Sequence, residues 1–201
     1  MICYNDMPLI EKAIKSVYDK VDKIIAVDGR YKDFTDWTGQ WYSTDGTIEF
    51  LAGLPKVELR FAANLYESDK RNEYLKGLED GQTVLVLDTD EIVEGDIPEL
   101  KSDIGLVRFS ELNDRREMRL ATRLFKYRNG MKYTGVHFII EVDGKLFNKR
   151  TRAEDGFSSE KVNTKIIHLA SLRDEARKLY KSEYYKTLGV REAQYQRSRY
   201  D

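Results

Sequence analysis

The stretch TVLVLDTDEIVEGD, Thr83 to Asp96, closes an apolar run with Asp88, Asp90 and Glu91, and Glu94 and Asp96 follow. Carboxylates this close repel one another unless a positive charge sits among them. Asp88-Thr89-Asp90 at a strand end offers hard oxygen ligands, so a divalent cation that neutralises a diphosphate is one chemistry this spacing suits. The alternative is a solvated strand-end turn. Asp28 ends a second apolar run, KIIAVD, beside Gly29. There a carboxylate can accept hydrogen bonds from a nucleotide base or ribose, or hold a loop or helix end. His168 closes KIIH and as neutral imidazole could reach the same cation, or be a satisfied strand histidine. Lys70 and Arg71, on the segment feeding the acidic strand, could meet a phosphate or start a solvated helix.

The elements that must position these groups follow from periodicity. Ile2 to Tyr4 reads as a short strand end, with Asp6 as helix cap, Pro8 in the first turn, and the stripe Leu9, Ile10, Ala13, Ile14, Val17. KIIAVD is a strand, TIEFLAGL a short helix and VELRFA a third strand. Ser68 is placed to cap a helix bearing Tyr74, Leu75 and Leu78, and TVLVLD reads as a strand buried on both faces. Strands alternating with helices imply parallel pairing, with ligands at the carboxyl ends of the strands. After Pro98 the pattern turns to strands, IGLVRFSEL, RLATRLFKY, TGVHFIIEV and KIIHLA, before a charged helix with the stripe Leu172, Ala176, Leu179, Tyr180. With no linker-like stretch and no repeat, one domain is expected.

Composition narrows the classes. The 201 residues carry a formal net charge of −1, which argues against a nucleic-acid binder. One cysteine, Cys3, leaves no intramolecular disulfide framework or cysteine-rich zinc knuckle. No run approaches the roughly 20 apolar residues a membrane span needs, and no signal peptide is visible, so a soluble cytoplasmic protein is expected. The Rossmann glycine fingerprint, the phosphate loop and the Gly-x-Ser-x-Gly elbow are all missing.

Taken in order, ICYND, VDKIIAVDG, STDGTIEFL, KRNEYL, VLVLDTDEIV, RLF, GVH and IIHLASLRDEARKLYKSEYY resemble the successive blocks of family 2 glycosyltransferases of the GT-A fold. The similarity is to the small soluble type that elongates lipopolysaccharide cores, and it runs from about Ile2 to Tyr185. It implies an α/β fold with a doubly wound, mostly parallel sheet, helices on both faces and a mixed second half. Residues 1–100 would form the nucleotide-sugar half, 101–185 the acceptor and metal-completing half, and 186–201 a polar tail. The resemblance further implies a Mn²⁺ or Mg²⁺ cofactor, a nucleotide-diphosphate sugar donor and a glycan, lipid-linked or protein acceptor. It places Tyr4 and Asn5 beside the nucleotide, Asp28 on base or ribose, and Arg71 near the nucleotide site. Asp88 would lie by the ribose or a metal-bound water, Asp90 on the metal, and His168 as a further metal ligand.

Two departures stand out. DGRYKDFTDWTGQWYSTDGT is longer than the family turn, and its Trp37, Trp41 and Tyr42 could stack on a base or sugar or pack the loop down. His137-Phe138 stands where the family has His-Glu, so the catalytic base must come from elsewhere. Asp155, on the polar loop RTRAEDGFSSE with Glu154 and Gly156, could reach the anomeric carbon as that loop closes. Glu141, in the strand after His137 and just before Asp143, is the runner-up. The activity expected is inverting transfer of a sugar to an acceptor hydroxyl. A sugar-phosphate nucleotidyltransferase and a non-catalytic nucleotide- or glycan-binding protein are the alternatives.

Overall fold

The computed structural model describes residues 1–32, 39–113, 119–134, 140–147, 156–176, 178–179 and 182–183. The first elements are β1 (Ile2–Cys3), α1 (Leu9–Val17), β2 (Ile24–Asp28), α2 (Thr47–Ala52), β3 (Val57–Phe61) and α3 (Glu67–Leu75). There follow β4 (Thr83–Leu85), β5 (Glu91–Glu94), β6 (Ile104–Glu111), β7 (Arg119–Lys126), β8 (Lys132–Tyr133), β9 (Ile140–Val142), β10 (Lys145–Phe147) and β11 (Ser159–His168). The architecture is mixed α/β. No helix among the described residues is long and apolar enough to cross a membrane.

The α1 stripe is buried as its spacing predicts, each large apolar side chain being worth about 1.5–3 kcal/mol of burial. The helix ends differ from expectation. Pro8 takes the N-cap position of α1, and the Asp6 carboxylate instead accepts the Tyr4 N–H at 2.8 Å. Ser68 lies inside α3, which follows Tyr66 and carries Glu67 and Asp69 in its first turn, where negative charge suits the helix dipole.

The strands form three sheets. One is parallel, β1-β2-β3; one is mixed, β4-β7-β6-β11-β5, and parallel only at β6–β11; the third is an antiparallel meander, β8-β9-β10. The parallel pairing expected through TVLVLD is not made among these residues. Its ladder covers Thr83–Leu85 and runs antiparallel to β7, with Thr83 exposed and burial complete only at Val86 and Leu87. The cause lies in β1, whose two residues pair as Ile2↔Val27 and Cys3↔Asp28 and build no ladder toward β4.

Later elements are found in part. TGVHFIIEV is a strand at Ile140–Val142, while His137 and Phe138 lie outside the described residues, as do Glu154, Asp155, Trp37 and the 186–201 tail. Helical backbone occurs at residues 175–176, 178–179 and 182–183, but Leu172 and Leu179 of the expected stripe are exposed. Two apolar clusters fill the interior. Ile10, Ile14, Leu51, Leu87 and Leu124 belong to one, and Val27, Tyr74, Ile104 and Phe125 to the other.

Against these clusters α3 buries charge. Glu67, Lys70 and Arg71 are all inaccessible. Lys70 Nζ donates to the Cys3 carbonyl at 2.7 Å and to the Gly29 carbonyl, and lies 5.1 Å from the Tyr31 ring. Burial lowers its pKa from 10.5 to about 8. Between those values the folded chain binds fewer protons than the unfolded one, so the Lys70 contribution to stability grows as pH rises. It is complete above the unfolded value and lost as pH falls through the folded one. Urea unfolding of the natural chain and of Lys70→Met, compared from pH 8 to 10.5, should differ by a term that moves on the order of 1–3 kcal/mol in favour of the natural chain. A pH-independent difference would show that Lys70 does not titrate there.

Candidate functional site

Two polar clusters sit at strand ends, and α3 touches both. The first gathers Tyr4, Asn5 and Asp28 around residues 39–47. Asp28, fully buried at the end of β2, accepts the Ser43 N–H at 3.0 Å and the Ser43 hydroxyl. The Asn5 N–H donates to Ser43 Oγ at 2.7 Å, and Asn5 Oδ1 accepts the Thr44 N–H at 2.8 Å. Tyr4 donates its hydroxyl to the Gln40 carbonyl at 2.9 Å. Gly29 makes the turn out of β2 at φ 140°, and a Cβ there would lie 2.6 Å from the Ala62 carbonyl oxygen, so no side chain fits. Burial raises the Asp28 pKa, against the pull of the Ser43 bonds and Lys70. Burial likewise pushes the Cys3 thiol up to about 12, which keeps it inert. The three residues expected at a nucleotide are therefore together, with these polar groups engaged in anchoring the long loop. Trp41 and Tyr42 are exposed on that loop, Trp41 stacked under the Arg30 guanidinium at 3.8 Å and Tyr42 edge-on to Phe61 at 5.4 Å.

The second cluster answers the repulsion in TVLVLDTDEIVEGD. Asp88 lies between two guanidinium groups, Arg71 Nη2 at 3.1 Å and Arg123 Nη2 at 3.8 Å. Arg71 also donates from Nε to Glu67 at 3.0 Å, both side chains being buried. Glu91 takes the other side of Arg123 and folds back to accept the Asp88 N–H at 2.8 Å. Burial raises the Glu91 pKa, opposed first by Arg123. Arginines thus supply the positive charge whose place a metal was expected to take.

Asp90 faces another way. Its backbone carbonyl accepts the Leu169 N–H at 2.7 Å, which ties it to the end of β11. Its Oδ2 lies 3.0 Å from His168 Nε2 and is also ion-paired to Arg173. Arg173 Nη2 reaches His168 Nε2 at 3.2 Å, and His168 Nδ1 meets Glu111 Oε2 at 2.9 Å. A guanidinium can only donate, so Nε2 accepts from it and Nδ1 carries the proton toward Glu111. That assigns one tautomer. Two ligand atoms in adjacent positions about a small divalent ion, each at about 2.1 Å, would stand ~3.0 Å apart, and Asp90 Oδ2 and His168 Nε2 have that separation. Arg173 is the organic cation now lodged between them. Among the described residues no group of three or more His, Cys, Asp and Glu forms a metal cage.

Sequence reasoning brought Arg71 to Asp88 and Asp90 to His168. It missed Glu67, Glu111, Arg123 and Arg173. Arg123 carried a signal, being a charge inside the apolar strand RLATRLF; Glu111 and Arg173 carried none, since only β6–β11 pairing (His168↔Glu111) brings Glu111 alongside. Glu141 is in the β8-β9-β10 sheet, 3.4 Å from Lys132, and Asp143 is exposed at the β9–β10 turn. No protein-family model matches the chain, and no curated protein matches it in sequence.

The buried pairs are open to a direct measurement. Arg71→Met leaves Glu67 uncompensated and should cost about 3–5 kcal/mol in urea unfolding. Arg71→Met/Glu67→Met removes both charges and should recover most of it. A double variant as unstable as the single one would mean that Asp88, not Glu67, is what Arg71 must satisfy.

Proposed function

We propose that this chain is a metal-dependent, inverting glycosyltransferase of GT-A type, moving a sugar from a nucleotide-diphosphate donor to a hydroxyl of a glycan, lipid-linked or protein acceptor in the cytoplasm. The observation that carries the reading is the Asp90–His168 pair, two ligand atoms 3.0 Å apart at the ends of β-structure, with the second histidine nitrogen turned to Glu111. The order of the sequence blocks from ICYND to IIHLASLRDEARKLYKSEYY supports the same reading.

Asp90 Oδ2 and His168 Nε2 would hold Mn²⁺ or Mg²⁺, which when bound supplies positive charge to the leaving diphosphate. The carboxylate of Glu111 fixes the ring so that the Nε2 lone pair faces Asp90. Arg173, displaced from Asp90, becomes free to meet a phosphate oxygen. Asp28, through Ser43, positions the loop beside the nucleoside, and Arg71 keeps Asp88 ionised at the mouth of β4. A carboxylate takes the proton of the acceptor hydroxyl as its oxygen attacks the anomeric carbon. The bond to the diphosphate breaks on the opposite face, which inverts the configuration. Asp155 and Glu141 are the candidates for that base.

A second reading is a nucleotide- or glycan-binding protein without catalysis, favoured by the Arg173 guanidinium already seated on Asp90. Calorimetric titration of nucleoside diphosphates with Mn²⁺ or chelator separates the two, together with an assay for release of nucleoside diphosphate and free sugar from nucleotide-sugars. The natural chain should bind only with Mn²⁺ and hydrolyse slowly. Asp90→Asn should abolish the Mn²⁺ dependence, and Glu111→Gln should weaken Mn²⁺ about 10–100-fold. Donor affinity indifferent to chelator and to Asp90→Asn defeats the metal reading. Metal-dependent binding with no hydrolysis and no transfer favours the binding protein.

A further inference from the structure

A cavity of about 500 Å³ lies between β2 and β4, away from both polar clusters. Two of its walls are strands: Ile24 and Ile25 on one side, Val84 and Leu85 on the other. Val17, at the end of α1, and Leu78, just after α3, belong to its remaining apolar lining.

Both strand walls have an unused hydrogen-bonding edge. Ile24 and Ile25 pair with β3, whereas the β1 ladder stops at Ile2↔Val27. β4 is the edge strand of its sheet. The Val86 N–H points to β7, donating to the Arg123 carbonyl at 2.8 Å, so by strand alternation the Leu85 and Leu87 amides point away from β7, toward the cavity. Met1 stands at the end of this space. Its carbonyl accepts the Val27 N–H at 3.0 Å and its amino group donates to the Ile25 carbonyl at 2.7 Å, continuing the parallel ladder of β1 into the cavity.

We propose that the cavity is a slot for one further β-strand segment, continuous with the amino end of β1, that pairs with β2 on one edge and β4 on the other. The occupant is an extended peptide of about four or five residues at ~3.3 Å per residue. Alternate side chains would face Val17 on one side and Leu78 on the other, both apolar. The segment is therefore a continuous Val/Ile-type run, not an alternating one. Filling the slot would join the parallel sheet and the mixed sheet edge to edge.

The test fuses a five-residue Val/Ile segment, preceded by two lysines, to Met1 of the full chain, with a Gly/Ser segment of equal length as control. The Val/Ile fusion should raise Tm by about 5–10 °C and slow amide exchange at Leu85 and Leu87 at least tenfold, while the control does neither. Equal Tm and equal exchange in the two fusions would overturn the slot. The same Val/Ile peptide added free to the unextended chain is the third arm. If it protects Leu85 and Leu87 while the fusion does not, the segment is not continuous with β1 and the proposal fails in that form.

Discussion

Arg71 holds Asp88 and Glu67 with one planar guanidinium, and Lys70, the next residue back along α3, holds the carbonyls of Cys3 and Gly29. Two adjacent cations thus point from one helix to two strand ends. Neither tolerates replacement by a merely similar group, because Arg71 uses the fork of its donors and Lys70 the point charge of an ammonium. Burying both costs desolvation energy that only fully formed partners offset. The strand ends of β1, β2 and β4 are therefore located relative to one another by electrostatics as much as by the apolar clusters beneath them.

From that anchoring the two clusters diverge in character. Around Asp28 the polar groups are consumed in a closed set of bonds, and the loop that carries Ser43 is held like a flap against the sheet. Around Asp90 the partners are of the exchangeable kind. An arginine with its stem on the surface side of a carboxylate can swing away at the cost of one ion pair. A histidine whose proton is directed to Glu111 keeps a lone pair ready for whatever replaces that arginine. Rigid scaffold and replaceable cation lie within one short segment, Asp88 to Glu91.

Much of this arrangement was legible in the chain and some was not, for physical reasons. Amphipathic spacing gave α1, β2, β3 and the later strands, because burial of alternate or stripe positions is a local property. The ends of helices were misplaced where side chains had non-local partners: Asp6 serves Tyr4, and Glu67, not Ser68, opens α3. The acidic run was correctly read as needing positive charge. Its source was not found, since Arg71, Arg123 and Arg173 lie 17, 35 and 85 residues from Asp88 and meet it or its neighbours only through the fold. The parallel continuation through TVLVLD failed for a similar reason, because a strand's partner is chosen by the neighbour available and not by its own apolarity.

β11 enters the mixed sheet between β6 and β5, parallel to one and antiparallel to the other, and His168 at its end contacts Asp90 across 78 positions of sequence. A chain growing from its amino end can assemble the parallel sheet, α3 and the Arg71 pairs early. It cannot complete the Asp90 side until nearly all of its length has emerged. Contacts of such long sequence separation are also the slow ones in folding. The order of synthesis thus imposes a safeguard of its own, in that a nascent or prematurely ended chain holds a sheet but no complete pocket of ligand atoms.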